Sequence, residues 1–345
     1  MILKTFSCLQ THTIKELIKM GHSVCVVTSV GTAETLHGAQ VIRLPGIGIE
    51  LHKGHSLTLP SLKMLEALRD FKPNCLHIFE GCIPIGFYTG LLCRMLGVPH
   101  VSTQHTRIDL YWKRYLPFIP EWIGDNLLMM IFAAAYSEAS VNLAVCADLM
   151  NYIAPAVGAH KVALWVSGCA TGSFREDNFS DEMRGQLSVA TPDLPLVLHV
   201  GRLAAEKQTD DLPGIFAEVM KLMNGKVRFA VVGDGHVREE MEKECVALGV
   251  PVYFSGFLRG PDLFAAYASG DVFVSACVTE AFPLCYLEAM SSGVAVVGPN
   301  AGGACSLNFS FHRMTEYFNV LMLYLIYIFS SLFPIATIVI VRYLV

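Results

Sequence analysis

Charge is scarce in this chain. Of its 345 residues, 16% are Asp, Glu, Lys or Arg, while 53% are hydrophobic, and the mean hydropathy is +0.48. The formal net charge is −5. With no basic face and no run that mixes aromatics with arginine, a nucleic-acid partner is not expected. There is no CxxC pair and no Cys/His cluster at zinc spacing, and the 12 histidines are dispersed. Neither a metal site nor another cofactor is therefore expected. The 11 cysteines are odd in number and scattered, which argues against a disulfide framework. They read as reduced, mostly buried thiols of an intracellular protein. No repeat with a period of roughly 20–50 residues is present. The start, MILKTFSCLQ, has too short an apolar run for a targeting signal, and no small-residue cleavage site or transit peptide is visible.

One absence of charge is local. Residues 318–341, FNVLMLYLIYIFSSLFPIATIVIV, contain no charged side chain and are long enough to span a bilayer. Arg313 before them and Arg342 after them leave the orientation undecided. Two readings stay open: a transmembrane helix kinked at Pro334, or sequence translated from beyond the end of the coding region.

Over the rest of the chain, short runs rich in Val and Ile alternate with helical patterns. SVCVVTS (23–29), CLHIFEG (75–81) and PHVSTQH (99–105) read as buried strands. Between them lie THTIKELIKMG, SLKMLEALRDFKP and PIGFYTGLLCRMLG, two of which end in a glycine stop, Gly21 and Gly97. After a polar stretch come LPLVLHVGR (194–202), VRFAVVGDG (227–235), VPVYFSG (250–256), DVFVSA (271–276) and VAVVGP (294–299), again with helices between them. Such alternation implies α/β architecture with two doubly wound parallel sheets. The expected division is a first domain at 1–175, a linker at 176–193, a second domain at 194–305 and the apolar tail at 306–345. Ligands of such sheets bind beyond the carboxyl ends of the strands, and two such domains facing each other make a cleft.

Three constellations stand at those ends. In HVGRLAAEKQTDDL (199–212), Arg202 and Lys207 follow a strand and precede a helix, an arrangement suited to clamping a diphosphate. The alternative is two surface cations paired with Glu206 or Asp210. In VVGDGHVREEMEK (231–243), Gly233 and Gly235 permit a tight strand-to-helix turn. This is half of a dinucleotide fingerprint, but Arg238 stands where the third glycine belongs. In TEAFPLCYLEAMSSG (279–293), Glu280 and Glu288 are eight positions apart with no charge between them. The first lies past a strand end and the second about a turn into a helix opened by Pro283, a spacing that lets both reach one cleft and accept vicinal hydroxyls. A capping acid and a satisfied polar residue are the plainer alternatives.

Taken in order, GRLAAEK, GDGHVREE and EAFPLCYLEAMSSG, with AYASGDVFV and VVGPNAGG, resemble the retaining glycosyltransferases of family 4 and the GT-B fold. FKPNCLHIFEG and GVPHVSTQHT match segments of the family's first domain. Within the family, the sulfoquinovosyl-diacylglycerol synthases are the nearest resemblance. It covers roughly residues 12–303 and implies a nucleotide-sugar donor, a UDP-sugar and within that class UDP-sulfoquinovose. The implied acceptor is a lipid such as diacylglycerol, met at a membrane surface or bilayer, and a plastid location follows from the same resemblance. It assigns Arg202 and Lys207 to the donor diphosphate, Glu288 to the ribose hydroxyls and Glu280 to the donor sugar. His105 is assigned to the sugar from across the cleft. Gly233, Gly235 and Phe282 join the donor-binding set. LYWKRYLPFIPEWIG (110–124), where aromatics alternate with Lys113 and Arg114, reads as an interfacial element or as a packed loop. Against the family pattern, the first strand, its glycine-rich loop and the last elements are expected to be missing, and Ala170 replaces an aspartate. Two further readings follow from these departures: a catalytically silent nucleotide-sugar-binding remnant tethered to a membrane, and, less favoured, a dinucleotide-dependent oxidoreductase.

Overall fold

A computed structural model describes residues 2–4, 8–29, 34–48, 56–79, 83–109, 113, 118–165, 168–299 and 301–306. The apolar stretch 318–341 lies outside the described residues. Among those described, no helix is long and apolar enough to cross a membrane. The chain divides into two compact units, Met1–Ser167 and Gly168–Val345.

The first unit runs β1 (Ile2–Lys4), α1 (Cys8–Lys19), β2 (Cys25–Thr28), β3 (Thr35–Leu36), β4 (Ala39–Arg43), β5 (Gly46–Gly48), β6 (Ser56–Thr58), α2 (Leu62–Phe71), β7 (Leu76–Phe79), α3 (Ile83–Leu96), β8 (His100–Gln104), α4 (Glu121–Tyr136), β9 (Val141–Ala144), α5 (Ala147–Val157) and β10 (Val162–Leu164). Its main sheet has the order β10-β9-β8-β7-β1-β2-β4-β3. Every pairing is parallel except that of β3 with β4. The first strand, expected to be missing, is therefore present: Ile2–Lys4 pairs with β2 on one side and β7 on the other. Three residues are too few for a period-2 pattern to register, and only their place in the middle of the sheet identifies them. β3, β4, β5, β6, β9 and β10 were not anticipated either. β3, β5 and β6 are short pieces whose antiparallel partners are set by chain reversal, whereas β4, β9 and β10 extend the parallel sheet.

The second unit runs α6 (Asp181–Leu187), β11 (Leu196–Val200), α7 (Leu212–Leu222), β12 (Arg228–Val232), α8 (Arg238–Ala247), β13 (Val252–Gly256), α9 (Pro261–Ala268), β14 (Val272–Val274), α10 (Leu284–Ser291) and β15 (Ala295–Val297). All five strands are parallel, in the order β13-β12-β11-β14-β15. The central strands are mostly apolar because both faces are covered, with His199 and Arg228 as the polar exceptions. Alternate residues divide between two cores. Val197, Phe229, Val231, Val272 and Val274 pack with Leu212, Ile215, Phe216 and Val219 of α7. Leu196, Leu198, Ala230, Val232 and Phe273 pack with Tyr267 of α9 and with Tyr286, Ala289 and Met290 of α10. The helical positions fall at i, i+3, i+4 and i+7, so each helix lays one apolar stripe on its face of the sheet.

Residues 176–193 are not a bare linker. Ser180 caps α6 by accepting from the Met183 amide. The largely buried Arg184 donates to the carbonyls of Pro192, Leu194 and Ser269 and pairs with Asp271 at 2.8 Å. The stretch looks polar because its one arginine satisfies carbonyls at the amino end of the sheet, a role composition does not reveal.

His199, in the middle of β11, is buried. Its Nδ1 donates to the Val274 carbonyl at 2.8 Å, which leaves Nε2 as the unprotonated nitrogen, buried without a hydrogen-bond partner among the described residues. Burial pushes its pKa down from the usual 6.5 to about 4. Below about pH 6.5 the unfolded chain takes up a proton that the folded ring refuses, so stability falls as pH drops toward 4. His199→Gln should flatten that loss by on the order of 3 kcal/mol, as measured by urea unfolding across the window.

Candidate functional site

Strand order places the candidate residues of the second unit. Connections run outward from β11 to β12 and β13 on one side, and to β14 and β15 on the other. The neighbours β11 and β14 thus lead into loops that part in opposite directions, and a crevice opens at their carboxyl ends. The loop after β11 carries Arg202 and Lys207, and the loop after β14 carries Glu280.

These loops are stitched together. Lys207 Nζ lies 2.6 Å from Glu280 Oε1, with both side chains about four-fifths covered. The Thr279 hydroxyl donates to the Glu206 carbonyl at 2.7 Å, and the Val278 amide donates to Gln208 Oε1 at 2.9 Å. Arg202 Nη2 meets Glu206 Oε1 at 2.6 Å, and the Glu206 side chain is only 1% exposed. The predicted diphosphate cation and the predicted sugar acid are therefore in contact. Arg202 also takes the Glu206 partner that the plainer reading named. The helix that follows the cations starts at Leu212, as its sequence pattern indicates. Two 3-10 turns, Ala205–Lys207 and Thr209–Asp211, precede α7, with Gln208 in the left-handed region between them at φ 51°.

Gly233 and Gly235 are needed for a reason their spacing does not show. A Cβ on Gly233 would sit 1.8 Å from the Gly201 carbonyl oxygen, and one on Gly235 would sit 1.9 Å from that of Leu203. Gly233 also has φ +145°. The GDG turn thus packs directly on the backbone that carries Arg202, and the Leu203 amide donates to the Asp234 carbonyl. Arg238, at the third-glycine position, pairs with Glu242 at 2.7 Å and Asp234 at 3.6 Å.

Glu288 stands in the first turns of α10, and its Oε2 accepts from the Tyr267 hydroxyl at 2.8 Å. Burial raises its pKa, and the Tyr267 hydrogen bond opposes that rise. The two acids register at one place: the Cys285 thiol is pushed well up by burial first, then by Glu280 and Glu288. Phe282 is buried. The sequence reading missed Gln208, Thr279 and Tyr267. Nothing in the local pattern marks them, because each acts across a separation of about 20 residues or more.

His105 belongs to the first unit, just past β8. Its ring lies 6.2 Å from Phe79 and 6.5 Å from Trp165. The neighbouring His77 is pushed down to about 4 by burial and by His105. A hollow of about 590 Å³ in the same unit is lined by Arg43, Leu44, Ser61, Lys63 and Glu66, and none of the predicted residues borders it. Among the described residues no cluster of three or more His, Cys, Asp and Glu side chains is placed to hold a metal ion.

Comparisons with known proteins identify the family. Residues 11–171 match the family model described as Glycosyltransferase Family 4, and residues 194–309 match Glycosyl transferases group 1. The sulfoquinovosyl transferase SQD2 of Arabidopsis thaliana is 35% identical over 84% of this chain, which spans 55% of that protein's length. A GDP-mannose-dependent alpha-mannosyltransferase of Mycobacterium tuberculosis is 33% identical over 84% of this chain and 74% of its own. Among solved structures, Anabaena HepE in complex with UDP and glucose superposes with a TM-score of 0.69 at 18% identity, covering 93% of this chain and 88% of that one. This last likeness speaks to the fold.

If the GDG turn is held by close approach, Gly235→Ala should cost about 1–3 kcal/mol. Gly214→Ala, in α7 with open space around its Cβ, should not destabilise. Chemical denaturation of both variants checks the contrast.

Proposed function

The chain belongs to the GT-B glycosyltransferases of family 4, and from that premise we propose that it transfers a glycosyl group, with retention, from a nucleotide-sugar to a lipid acceptor. The observation that carries the reading is the contact of Lys207 with Glu280 at the crevice between β11 and β14. Cleavage of the anomeric C–O bond leaves positive character on the sugar and negative charge on the diphosphate. An ammonium has three donors and a guanidinium five, so Lys207 and Arg202 can hold their carboxylates and still meet phosphate oxygens. Glu280 and Glu206 keep those cations in place before the donor arrives, and such preorganisation lowers the barrier to leaving-group departure. Glu280 accepts hydroxyls of the donor sugar, and Glu288 accepts those of the nucleoside.

The resemblance to a sulfoquinovosyl transferase supports UDP-sulfoquinovose as donor, and the equally long match to a GDP-mannose-dependent enzyme makes GDP-mannose the competitor to test beside it. Lys207→Ala and Arg202→Ala should each lower turnover about a hundredfold, in line with roughly 2.7 kcal/mol per lost donor. Steady-state transfer assays with both donors decide this. Near-wild-type turnover in both variants would remove the clamp. Donor binding without hydrolysis or transfer would support the silent remnant instead.

A lipid acceptor requires a face that meets lipid, and the first unit has a suitable one. On α4, Gly124, Leu128, Phe132 and Ala135 are buried, while Trp122 (70% exposed), Ile123, Leu127 and Met130 (69%) face outward. On α3, which packs against α4, Phe87, Leu91 and Met95 are likewise exposed. Two adjacent apolar stripes of this kind suit the headgroup–acyl boundary. Lys113, expected to reach toward headgroups, is instead drawn to Glu121 and Asp125 at 3.1 and 3.2 Å, so apolar contact rather than charge is the driving term. A chain ending at Cys305 should float with neutral liposomes, and Leu127→Glu with Met130→Glu should abolish flotation. Insensitivity to these changes would discard the lipid-facing role of α4.

A further inference from the structure

The two acids of the motif are held in different ways. Glu280 has a cation against it. For Glu288 no ion pair is found among the described residues, and its hydrogen-bond partner there is the Tyr267 hydroxyl. Tyr267 comes from α9, and the two helices bring it to Glu288 because both lay their apolar stripes on the same face of the sheet. The tyrosine ring is fully buried. It is fixed edge-on to Phe174 at 5.4 Å and stacked near Phe273 at 6.2 Å. A ring locked in this way holds its hydroxyl oxygen in one place, beside the Glu288 carboxylate. A phenol donates one hydrogen bond, and a carboxylate accepts several. The Tyr267 bond therefore engages Oε2 and leaves Oε1 as the freer oxygen for another donor.

We propose that Tyr267 is a positioning residue of the donor site, whose hydroxyl fixes the Glu288 carboxylate so that it presents an acceptor to the vicinal hydroxyls of the nucleoside. The proposal rests on the reading of Glu288 given above and extends it to a residue that touches no substrate. It has a consequence for ionisation. Burial raises the pKa of Glu288 and the Tyr267 bond lowers it. Among the described residues, the other titratable groups facing the carboxylate are Cys169, ahead of α6, and Cys285, on α10 itself. Both thiols are pushed up by burial first and are neutral near pH 7. Loss of the tyrosine hydroxyl therefore removes the group that favours the charged carboxylate, and Glu288 protonates at higher pH. A protonated acid is a poorer acceptor for a diol.

The test is calorimetric binding of UDP and GDP, and of their 2′,3′-dideoxy forms, to the full chain from about pH 8 to about pH 5. Wild type should favour the ribonucleotide over its dideoxy form and lose that preference toward acid. Tyr267→Phe should weaken ribonucleotide binding roughly tenfold. It should leave dideoxynucleotide binding unchanged and move the acid loss to higher pH. Glu288→Gln should abolish the preference at all pH values, and adding Tyr267→Phe to it should change nothing more. Equal weakening of both nucleotide forms by Tyr267→Phe, or an unmoved acid limb, would overturn the positioning role while leaving the donor reading intact. A wild-type chain that binds neither nucleotide, or a Glu288→Gln chain that still discriminates, would remove the donor reading and this proposal with it. If the phenylalanine variant does not fold, Tyr267→Met, also without a hydroxyl, carries the same expectations.

Discussion

The second unit depends on one contact, the ion pair between Lys207 and Glu280. Its two residues are 73 positions apart in the chain and meet because β11 and β14 are neighbours in a sheet whose connections diverge from that point. Around it the Thr279–Glu206 and Val278–Gln208 hydrogen bonds tie the same two loops. Beneath it the GDG turn is pressed against Gly201 and Leu203 closely enough to exclude any Cβ. A strand-end cation and a strand-end acid are thus held together by backbone packing below and side-chain hydrogen bonds alongside. The pair is partly covered, so its attraction is screened less than that of an exposed pair.

This construction separates the two acids by environment. Glu280 sits against a cation, the Lys207 ammonium, which orients it. Glu288 sits in a drier place, where burial favours the neutral form and a phenol counters it. Two carboxylates eight residues apart are in this way prepared for different hydroxyl partners. The first unit has its own division of labour. One side of α4 packs inward, and the other leaves large apolar side chains in the open, a cost in solvent exposure that a purely structural helix does not need.

Legibility in the sequence followed the length and regularity of the signal. The five strands of the second sheet could be read because each is a mostly apolar run that ends in or near glycine, serine or proline. Seven helices were marked by their local pattern, whereas α4, α5 and α6 were not read. β1, β3, β5, β6 and β10 were not readable, because two or three residues carry no period, and the longer β4 and β9 were not read either. The stretch 176–193 was read as a linker because Arg184 and its acidic neighbours look like a solvated surface, whereas that arginine binds three carbonyls. Among the candidate residues, Arg202, Lys207, Gly233, Gly235, Glu280 and Glu288 were singled out by motif and spacing. Tyr267, Thr279 and Gln208 were not, because the residues they bind are distant in the chain.

The sequence by itself determined the class of each unit, the family and which charged side chains stand at strand ends. These depend on local pattern and on the order of motifs, which a linear chain carries in full. Tertiary structure alone decided which of those side chains meet. It paired Lys207 with Glu280, gave Arg202 to Glu206 and left Glu288 to a buried tyrosine. Strand order and the face on which each helix lands set these distances, and both arise from burial of apolar surface summed over the whole sheet rather than from any single segment.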